Sequence, residues 1–216
     1  PRTIAAQTAF EINHSAPATA SEANEMTNTA FLGTGLLGAA LAEAAAQRGD
    51  TVTAWNRTAD KATALARFGI RAASTPADAV RGATRVHLVL RDDAVVEEVL
   101  AAAKAGLGKD AIVLDHTTTL PEKTAERATR LNAAGVNYLH CPVFMGPAAA
   151  RNAQGAMMAS GPRALFDRVQ PDLAKMTARL EYLGERPDLA AVNKLCGNTL
   201  IIGLAGIVAD VIAQAG

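Results

Sequence analysis

Short apolar segments alternate with longer alanine-rich segments from residue 29 onward. This alternation is typical of a parallel sheet whose strands are joined by crossover helices, so we expect an α/β fold with a doubly wound parallel sheet. Strands are predicted at residues 29–32, 51–55, 85–90, 111–115, 136–140 and 156–160. Helices are predicted between them at residues 36–48, 58–68, 94–105, 121–134 and 162–176.

The segment at residues 189–215 has a different pattern, because its apolar residues cover nearly the whole circumference of a helix. Such a helix is expected to be buried. A membrane span is the competing explanation, but Asn198 and Asp210 interrupt a stretch that is barely long enough to cross. We therefore predict a long inter-domain helix at 188–216 that begins a C-terminal helical domain absent from this sequence. That domain or a second subunit is expected to cover the helix.

The composition is that of a globular protein with a real core. Half of the 216 residues are hydrophobic, and 21 basic side chains balance 21 acidic ones. Because no basic run stands out, we expect neither nucleic acid nor a membrane as a partner, and we expect a cytoplasmic protein. Cys141 and Cys196 lack the spacing of a zinc site, so no metal is expected. Residues 1–26 are rich in Ala, Thr, Ser and Asn and are interpreted as an N-terminal tail.

A glycine-rich turn follows the first predicted strand and opens the first predicted helix. It consists of Gly33, Thr34, Gly35, Leu36, Leu37 and Gly38. In this context the three glycines permit a tight turn, a close approach of a pyrophosphate and close helix packing, which predicts a dinucleotide site. The start of the helix offers N–H groups to the phosphates. An ordinary turn that happens to contain three glycines is the alternative.

The second predicted strand is followed by Asn56, Arg57 and Thr58, where a site specific for NAD usually has a carboxylate. Asn56 can bond the ribose, Arg57 can pair with a 2′-phosphate, and Thr58 adds a hydroxyl. The sequence therefore predicts NADPH (NADP) as the cofactor rather than NADH, and residues 27–187 as an NADP-binding domain. The alternative is that Arg57 is a solvated surface side chain and that Thr58 only caps a helix.

Five motifs in this order resemble the β-hydroxyacid dehydrogenase superfamily. Besides the two above, they are residues 115–121 (DHTTTLP), 142–143 (PV) and 194–198 (KLCGN). The superfamily includes 3-hydroxyisobutyrate dehydrogenases, tartronate semialdehyde reductases, glyoxylate/succinic semialdehyde reductases and, more distantly, 6-phosphogluconate dehydrogenases, and it is related to imine reductases. The resemblance implies a Rossmann-type domain, an oxidoreductase that acts on a small molecule, and a homodimer built through the C-terminal helical region.

The resemblance also implies roles for individual residues. Lys194 is expected to be the general acid/base and Asn198, one helical turn later, to hold the substrate; the alternative is a lysine that only extends from a buried helix to solvent. Thr117 is expected near the cofactor and Thr118 near the substrate, although both could instead cap the following helix. The loop after the third predicted strand, at Leu90 and Arg91, corresponds to a turn that lines the cofactor, but a solvated Arg91 is equally compatible.

One segment departs from the superfamily. After Pro142-Val143 these enzymes usually have Ser-Gly-Gly, which binds the substrate carboxylate, and this chain has Phe144, Met145 and Gly146. A small hydroxyacid substrate is therefore in doubt, and a less polar carbonyl compound is favoured. The function predicted first is NADPH-dependent transfer of hydride between nicotinamide and a carbonyl or hydroxy compound. The alternatives are imine reduction and a catalytically silent NADPH-binding module.

Overall fold

A computed structural model describes residues 27–215, so the predicted tail at 1–26 lies outside the described residues. The main sheet has six strands, all parallel, in the order β3-β2-β1-β4-β5-β6. Its strands are β1 Asn28–Leu32, β2 Thr51–Trp55, β3 Arg71–Ala72, β4 Arg85–Leu88, β5 Ile112–Asp115 and β6 Asn137–His140. The chain runs from β1 outward to β3 and then returns to β4 on the other side of β1, which confirms the predicted doubly wound order.

Helices connect the strands of the main sheet, as the alternating pattern predicts, and three further helices follow β6 within the described residues. The helices are α1 Leu36–Gln47, α2 Ala59–Thr63, α3 Pro76–Val80, α4 Asp93–Ala103, α5 Pro121–Ala133, α6 Pro147–Arg151, α7 Arg163–Ala174 and α8 Leu189–Gln214. The single helix predicted at 58–68 is wrong in detail: α2 passes into a 3₁₀-helix at Ala64–Phe68, which ends at Gly69 with a φ of 76°.

A second, three-stranded sheet contains β7 Val143–Phe144, β8 Ala156–Ala159 and β9 Arg179–Tyr182. The strand predicted at 156–160 forms, but its expected place beside the other predicted strands is wrong. It pairs antiparallel with β7 and parallel with β9. The chain reverses between β7 and β8 through α6, and this reversal allows β8 to pair with the segment that follows β6.

Residues of β1 alternate between the two hydrophobic cores on either face of the main sheet. Phe31 packs in the core that includes Leu41 of α1 and Val169 of α7. Leu32 packs in the core that includes Val96 of α4. Because β1 is covered on both faces, its last three residues, 30–32, form a continuous apolar run, which is typical of a central parallel strand.

The long C-terminal helix forms as α8, but residues 27–215 do not bury it as predicted. Ala190 and Ala191 are buried, whereas the apolar side chains beyond residue 199 are exposed: Leu200, Ile201, Ile202, Leu204, Ile207, Val208, Val211 and Ile212. In the described residues this is the one helix long and apolar enough to cross a membrane, a property that core helices of soluble proteins share. Residues 27–215 therefore do not cover this apolar surface.

Candidate functional site

The glycine turn lies between the end of β1 and the start of α1. The structure requires a glycine at two of its three glycine positions, for different reasons. Gly33 has a φ of 99°, and a side chain there would overlap the carbonyl oxygen of Val89. A Cβ at Gly38 would overlap the carbonyl oxygen of Gly33, whereas one at Gly35 would meet no atom within 4 Å. Gly33 and Gly38 are therefore required by the protein, and Gly35 leaves open space in front of the turn.

A cavity of about 460 Å³ lies beside this turn, at the carboxyl ends of the parallel strands and at the point where the strand order reverses. Its volume is in the range of ligand sites, and its place is where open α/β sheets bind ligands. The lining residues are Gly33, Gly35, Leu36, Leu37, Gly38, Trp55, Asn56, Arg57, Thr58, Lys61, Val89, Leu90, Arg91, Val95, Glu98, Val99, His116 and Thr118.

The cavity carries more positive than negative charge. Arg57, Lys61 and Arg91 are its cationic lining residues, and Glu98 is the acidic one. Gly35 precedes α1 without a side-chain cap, so no cap competes for the N–H groups of the first turn. These features suit a ligand with several phosphates. Lys61 was missed from the sequence, although its place four residues after Arg57, at the start of a helix, was a usable signal.

Asn56 connects the glycine turn with the segment that follows β2. Its Oδ1 accepts a hydrogen bond from the N–H of Thr34 at 3.1 Å, and its Nδ2 donates to the carbonyl oxygen of Thr58 at 3.1 Å. Both ends of the amide are thus engaged within the protein. Asn56 lines the cavity and also holds the two loops together, while Thr34 is buried and does not line the cavity.

Thr117 and Thr118, the first two of three threonines after β5, have different surroundings. Thr118 is exposed and lines the cavity. Thr117 is buried, and its hydroxyl accepts a hydrogen bond from the N–H of Leu90 at 3.1 Å, so it fixes the neighbouring cavity loop and does not line the cavity itself. The alternative that these threonines cap α5 is wrong. The N-cap residue of α5 is Leu120, and no side chain caps the start of this helix.

Arg91 occupies the loop after β4. Its side chain is 75% exposed, and its Nε donates to Asp92 at 2.7 Å. This exposure is that of a solvated loop residue. Because Arg91 also lines the cavity, its guanidinium can contact an anionic ligand there. Both interpretations of Arg91 from the sequence therefore remain predictions.

A buried pair of histidines lies behind the cavity. Nδ1 of His116 is 2.7 Å from the carbonyl oxygen of Cys141, and because a carbonyl oxygen can only accept, this nitrogen carries the hydrogen. Nε2 of His116 then accepts from Nδ1 of His87 at 2.8 Å. Burial lowers the pKa of both imidazoles. Both nitrogens of His116 are therefore engaged within the protein, and the ring is held in one orientation at the cavity wall.

An ionic network fixes the loops on the other side of the cavity. Arg127 is buried and donates to Asp93 at 2.6 Å, and its Nη1 lies 3.7 Å from Asp115. Asp115 also accepts hydrogen bonds from the hydroxyl of Tyr138 at 2.7 Å and from the N–H of Thr117 at 2.9 Å. Through Asp93, which also accepts from the N–H of Leu120, the network joins the loops after β4 and β5. Among the described residues, no group of His, Cys, Asp or Glu side chains could hold a metal ion.

Apart from Thr118, the residues predicted to act on the substrate lie outside the lining of this cavity. They are Lys194, Asn198, Phe144, Met145 and Gly146. Nζ of Lys194 lies 3.9 Å from the centre of the Phe144 ring. Lys194 is partly buried, and this burial lowers its pKa from the usual value. Asn198 is also partly buried, one turn further along α8.

Two curated relatives are both 32% identical to this chain. One is an uncharacterized oxidoreductase of Shewanella frigidimarina (strain NCIMB 400), aligned over 83% of this chain and 64% of its own length. The other is the NADH-dependent oxidoreductase ucdB of Aspergillus ustus, aligned over 72% of this chain and 53% of its own length. The chain thus spans less than two thirds of either relative.

Among solved structures, the imine reductase of Streptomyces aurantiacus is 30% identical, with a TM-score of 0.76 over 83% of this chain and 63% of its own. The family described as the NAD binding domain of 6-phosphogluconate dehydrogenase matches residues 28–184, which include the glycine turn and every strand of the main sheet. The predicted resemblance is therefore confirmed, and the chain belongs to the family of the 6-phosphogluconate dehydrogenase NAD binding domain.

Proposed function

We propose that this chain binds NADPH and serves an oxidoreductase that reduces a carbonyl group or oxidises the corresponding alcohol. The observation that carries the proposal is the cavity in front of Gly35, where a pyrophosphate can approach the backbone and where Arg57 and Lys61 stand on the side of β2. A nicotinamide cofactor fits these residues, because the turn leaves space at the one glycine whose Cβ would face no protein atom.

Arg57 supports NADPH as the preferred cofactor. It follows β2, where a site for NADH usually has a carboxylate that bonds the ribose. Arg57 and Lys61 can both pair with a 2′-phosphate, and the guanidinium can also lie against the adenine. The Aspergillus ustus relative is named as NADH-dependent, so the proposed preference would distinguish this protein from that relative.

A bound nicotinamide would supply or accept the hydride, and side chains of this protein would donate or accept the proton. Lys194 can donate a proton to the carbonyl oxygen in reduction and take it back in oxidation. Its lowered pKa brings it closer to working pH, where an acid can both hold and release a proton. Asn198 lies at i+4 from Lys194 and shares its helix face, so its amide can hold the substrate. The hydroxyl of Thr118 offers a further hydrogen bond.

The substrate is proposed to lack a carboxylate. Phe144 and Met145 replace the polar segment that the resemblance associates with carboxylate binding, and both side chains are partly exposed. Apolar walls favour an uncharged or larger carbonyl compound.

Imine reduction is the second candidate, favoured by the likeness to the Streptomyces aurantiacus imine reductase. The full-length protein should be assayed with NADPH against aldehydes, keto acids and cyclic imines. Turnover of aldehydes or ketones that is lost in Lys194→Met supports the first proposal. Turnover of imines alone would replace it with the second, and binding of NADPH without any turnover would leave a silent binding module.

The cofactor proposal has a separate test in Arg57→Ala. The loss of a charge-assisted hydrogen bond costs about 1.5–3 kcal/mol, so the dissociation constant for NADPH should rise roughly 10- to 150-fold. The constant for NADH, which lacks the 2′-phosphate, should rise much less. Arg67→Ala is a matched control, because Arg67 follows Arg57 by ten residues in the sequence but does not line the cavity. An equal loss of both nucleotides in Arg57→Ala would contradict a role at the 2′-phosphate.

The remaining expectations from the sequence stay predictions. A homodimer would cover the exposed apolar side chains of α8, and sedimentation of the full-length protein would test it. A cytoplasmic location and a small-molecule substrate as the main partner belong to the same proposal.

A further inference from the structure

Lys194, Phe144 and Gly197 form a close contact between the second sheet and α8. The ammonium of Lys194 stands over the Phe144 ring, with Nζ 3.9 Å from the ring centre. The edge of the same ring lies against the backbone at Gly197, where any Cβ would overlap Cζ and would approach Cε1 and Cε2 to 3.2 Å. The glycine therefore admits the ring to the position beneath the ammonium.

The backbone of Phe144 is fixed independently of α8. Phe144 pairs with Ala156 in the antiparallel β7–β8 ladder. Its carbonyl oxygen lies so close to Gly155, which has a φ of 86°, that a Cβ there would approach this oxygen to 2.7 Å. The ring thus extends from a strand that cannot easily shift, and it offers the ammonium a platform of defined position.

The electrostatics favour this contact. Partial burial removes water from the ammonium, and burial is the one cause found for the lowered pKa of Lys194. No charged side chain of α5, of α8 or of the second sheet within the described residues contributes to that shift. The negative face of an aromatic ring then compensates part of the lost hydration, and it does so best when water is excluded.

We infer that Phe144 is a positioning residue for Lys194, holding its ammonium over the ring and favouring its protonated form, with Gly197 providing the room for the ring. The inference rests on the proposed function in one respect: the contact affects the reaction only if Lys194 is the proton donor. Phe144 stands where the superfamily usually has a serine. In this inference Phe144 positions the lysine in addition to shaping the substrate site.

The contact can be tested without measuring activity, by following the pKa of Lys194 in the full-length protein. The NMR signal of ¹³Cε-labelled lysine reports this titration, and Lys194→Arg assigns the signal. Phe144→Leu keeps an apolar side chain of similar burial but removes the ring, so the pKa of Lys194 should fall by about 0.5–1.5 units. Phe144→Tyr keeps the ring and should keep the value.

A second variant covers the case in which Phe144→Leu does not fold. Gly197→Ala adds a methyl group that pushes the ring away, at a helix position where alanine is the better residue. It should lower the pKa of Lys194 in the same direction. Gly203→Ala is the matched control, because a Cβ at Gly203 on the same helix meets nothing within 4 Å. An unchanged or raised pKa in both Phe144→Leu and Gly197→Ala would overturn the inference.

Activity then separates this inference from the proposed function. If Lys194 is the proton donor, the alkaline limb of the kcat/KM profile for reduction should move to lower pH in Phe144→Leu, by the same amount as the NMR titration. A shift in the NMR titration with an unmoved limb would support the contact and overturn the role of Lys194 as the acid.

Discussion

Replacing Gly35 by alanine should separate nucleotide binding from folding. Gly35 has a φ of −68° and a ψ of −168°, which alanine adopts without strain, and the added Cβ meets no atom within 4 Å. A glycine replaced by alanine in a compatible conformation gains about 0.4–1 kcal/mol of stability, because the unfolded chain loses freedom. The free energy of unfolding should therefore stay the same or rise slightly.

The effect on binding should have the opposite sign. In the proposed complex a phosphate approaches the backbone at Gly35, and the methyl group would keep it beyond hydrogen-bond distance of the N–H groups at the start of α1. The loss of one such bond to a charged group costs about 1.5–3 kcal/mol, or roughly 10- to 150-fold in the dissociation constant. Both NADPH and NADH should be affected equally, because both carry the pyrophosphate.

Trp55 provides a direct assay. It is the one tryptophan in the sequence, and it lines the cavity at the end of β2. Reduced nicotinamide absorbs where tryptophan emits, so titration with either nucleotide should quench the emission of Trp55. Gly38→Ala is the comparison, because its Cβ would overlap the carbonyl oxygen of Gly33 and should lower the melting temperature as well as binding. Unchanged nucleotide affinity in a folded Gly35→Ala protein would refute the proposed placement of the pyrophosphate.

Two further predictions concern the buried polar groups. Arg127→Met leaves Asp115, which is fully buried, without its guanidinium partner. We therefore expect the free energy of unfolding, measured by urea denaturation, to fall by about 3–5 kcal/mol, and to fall less in Arg127→Lys. A loss below about 1 kcal/mol in the methionine variant would show that the network contributes little. Burial lowers the pKa of His140 to about 4, and neither ring nitrogen has a hydrogen-bond partner among the described residues. The unfolded chain therefore binds a proton below about pH 6.5 that the folded chain does not bind until about pH 4, so stability falls by about 2 kcal/mol from pH 8 to pH 5. His140→Leu should remove that part of the acid loss in thermal melts at the two pH values, and an identical pH dependence in both proteins would contradict the assignment.

The central strands were predictable because their burial on both faces leaves continuous apolar runs that alternate with helices. The smaller elements were not. β3 has two exposed residues, Arg71 and Ala72, and such a short segment carries no periodicity. β8 was recognised as a strand, but its partners β7 and β9 depend on a chain reversal through α6 that no local pattern encodes.

At the site, local motifs indicated which loops meet, and the structure shows how they are held. Asn56 reaches back 22 residues to the N–H of Thr34, and the hydroxyl of Thr117 reaches back 27 residues to the N–H of Leu90. Contacts over such separations follow from strand order and not from neighbouring sequence. The same applies to the pairing of His87 with His116, which is joined in turn to the carbonyl oxygen of Cys141.

The candidate chemistry is divided between two parts of the described chain. The glycine turn and the cations beside it belong to the main sheet and its loops, whereas Lys194 contacts Phe144 of the second sheet from the first turns of α8. The apolar surface of α8 begins just after Asn198, so whatever covers it also lies beside the proposed proton donor. Nucleotide binding should therefore depend on the glycine turn and the cations beside it, while turnover should depend in addition on the cover over α8. A substitution of the exposed Ile201 by a charged residue that abolished turnover but left nucleotide affinity intact would demonstrate this division.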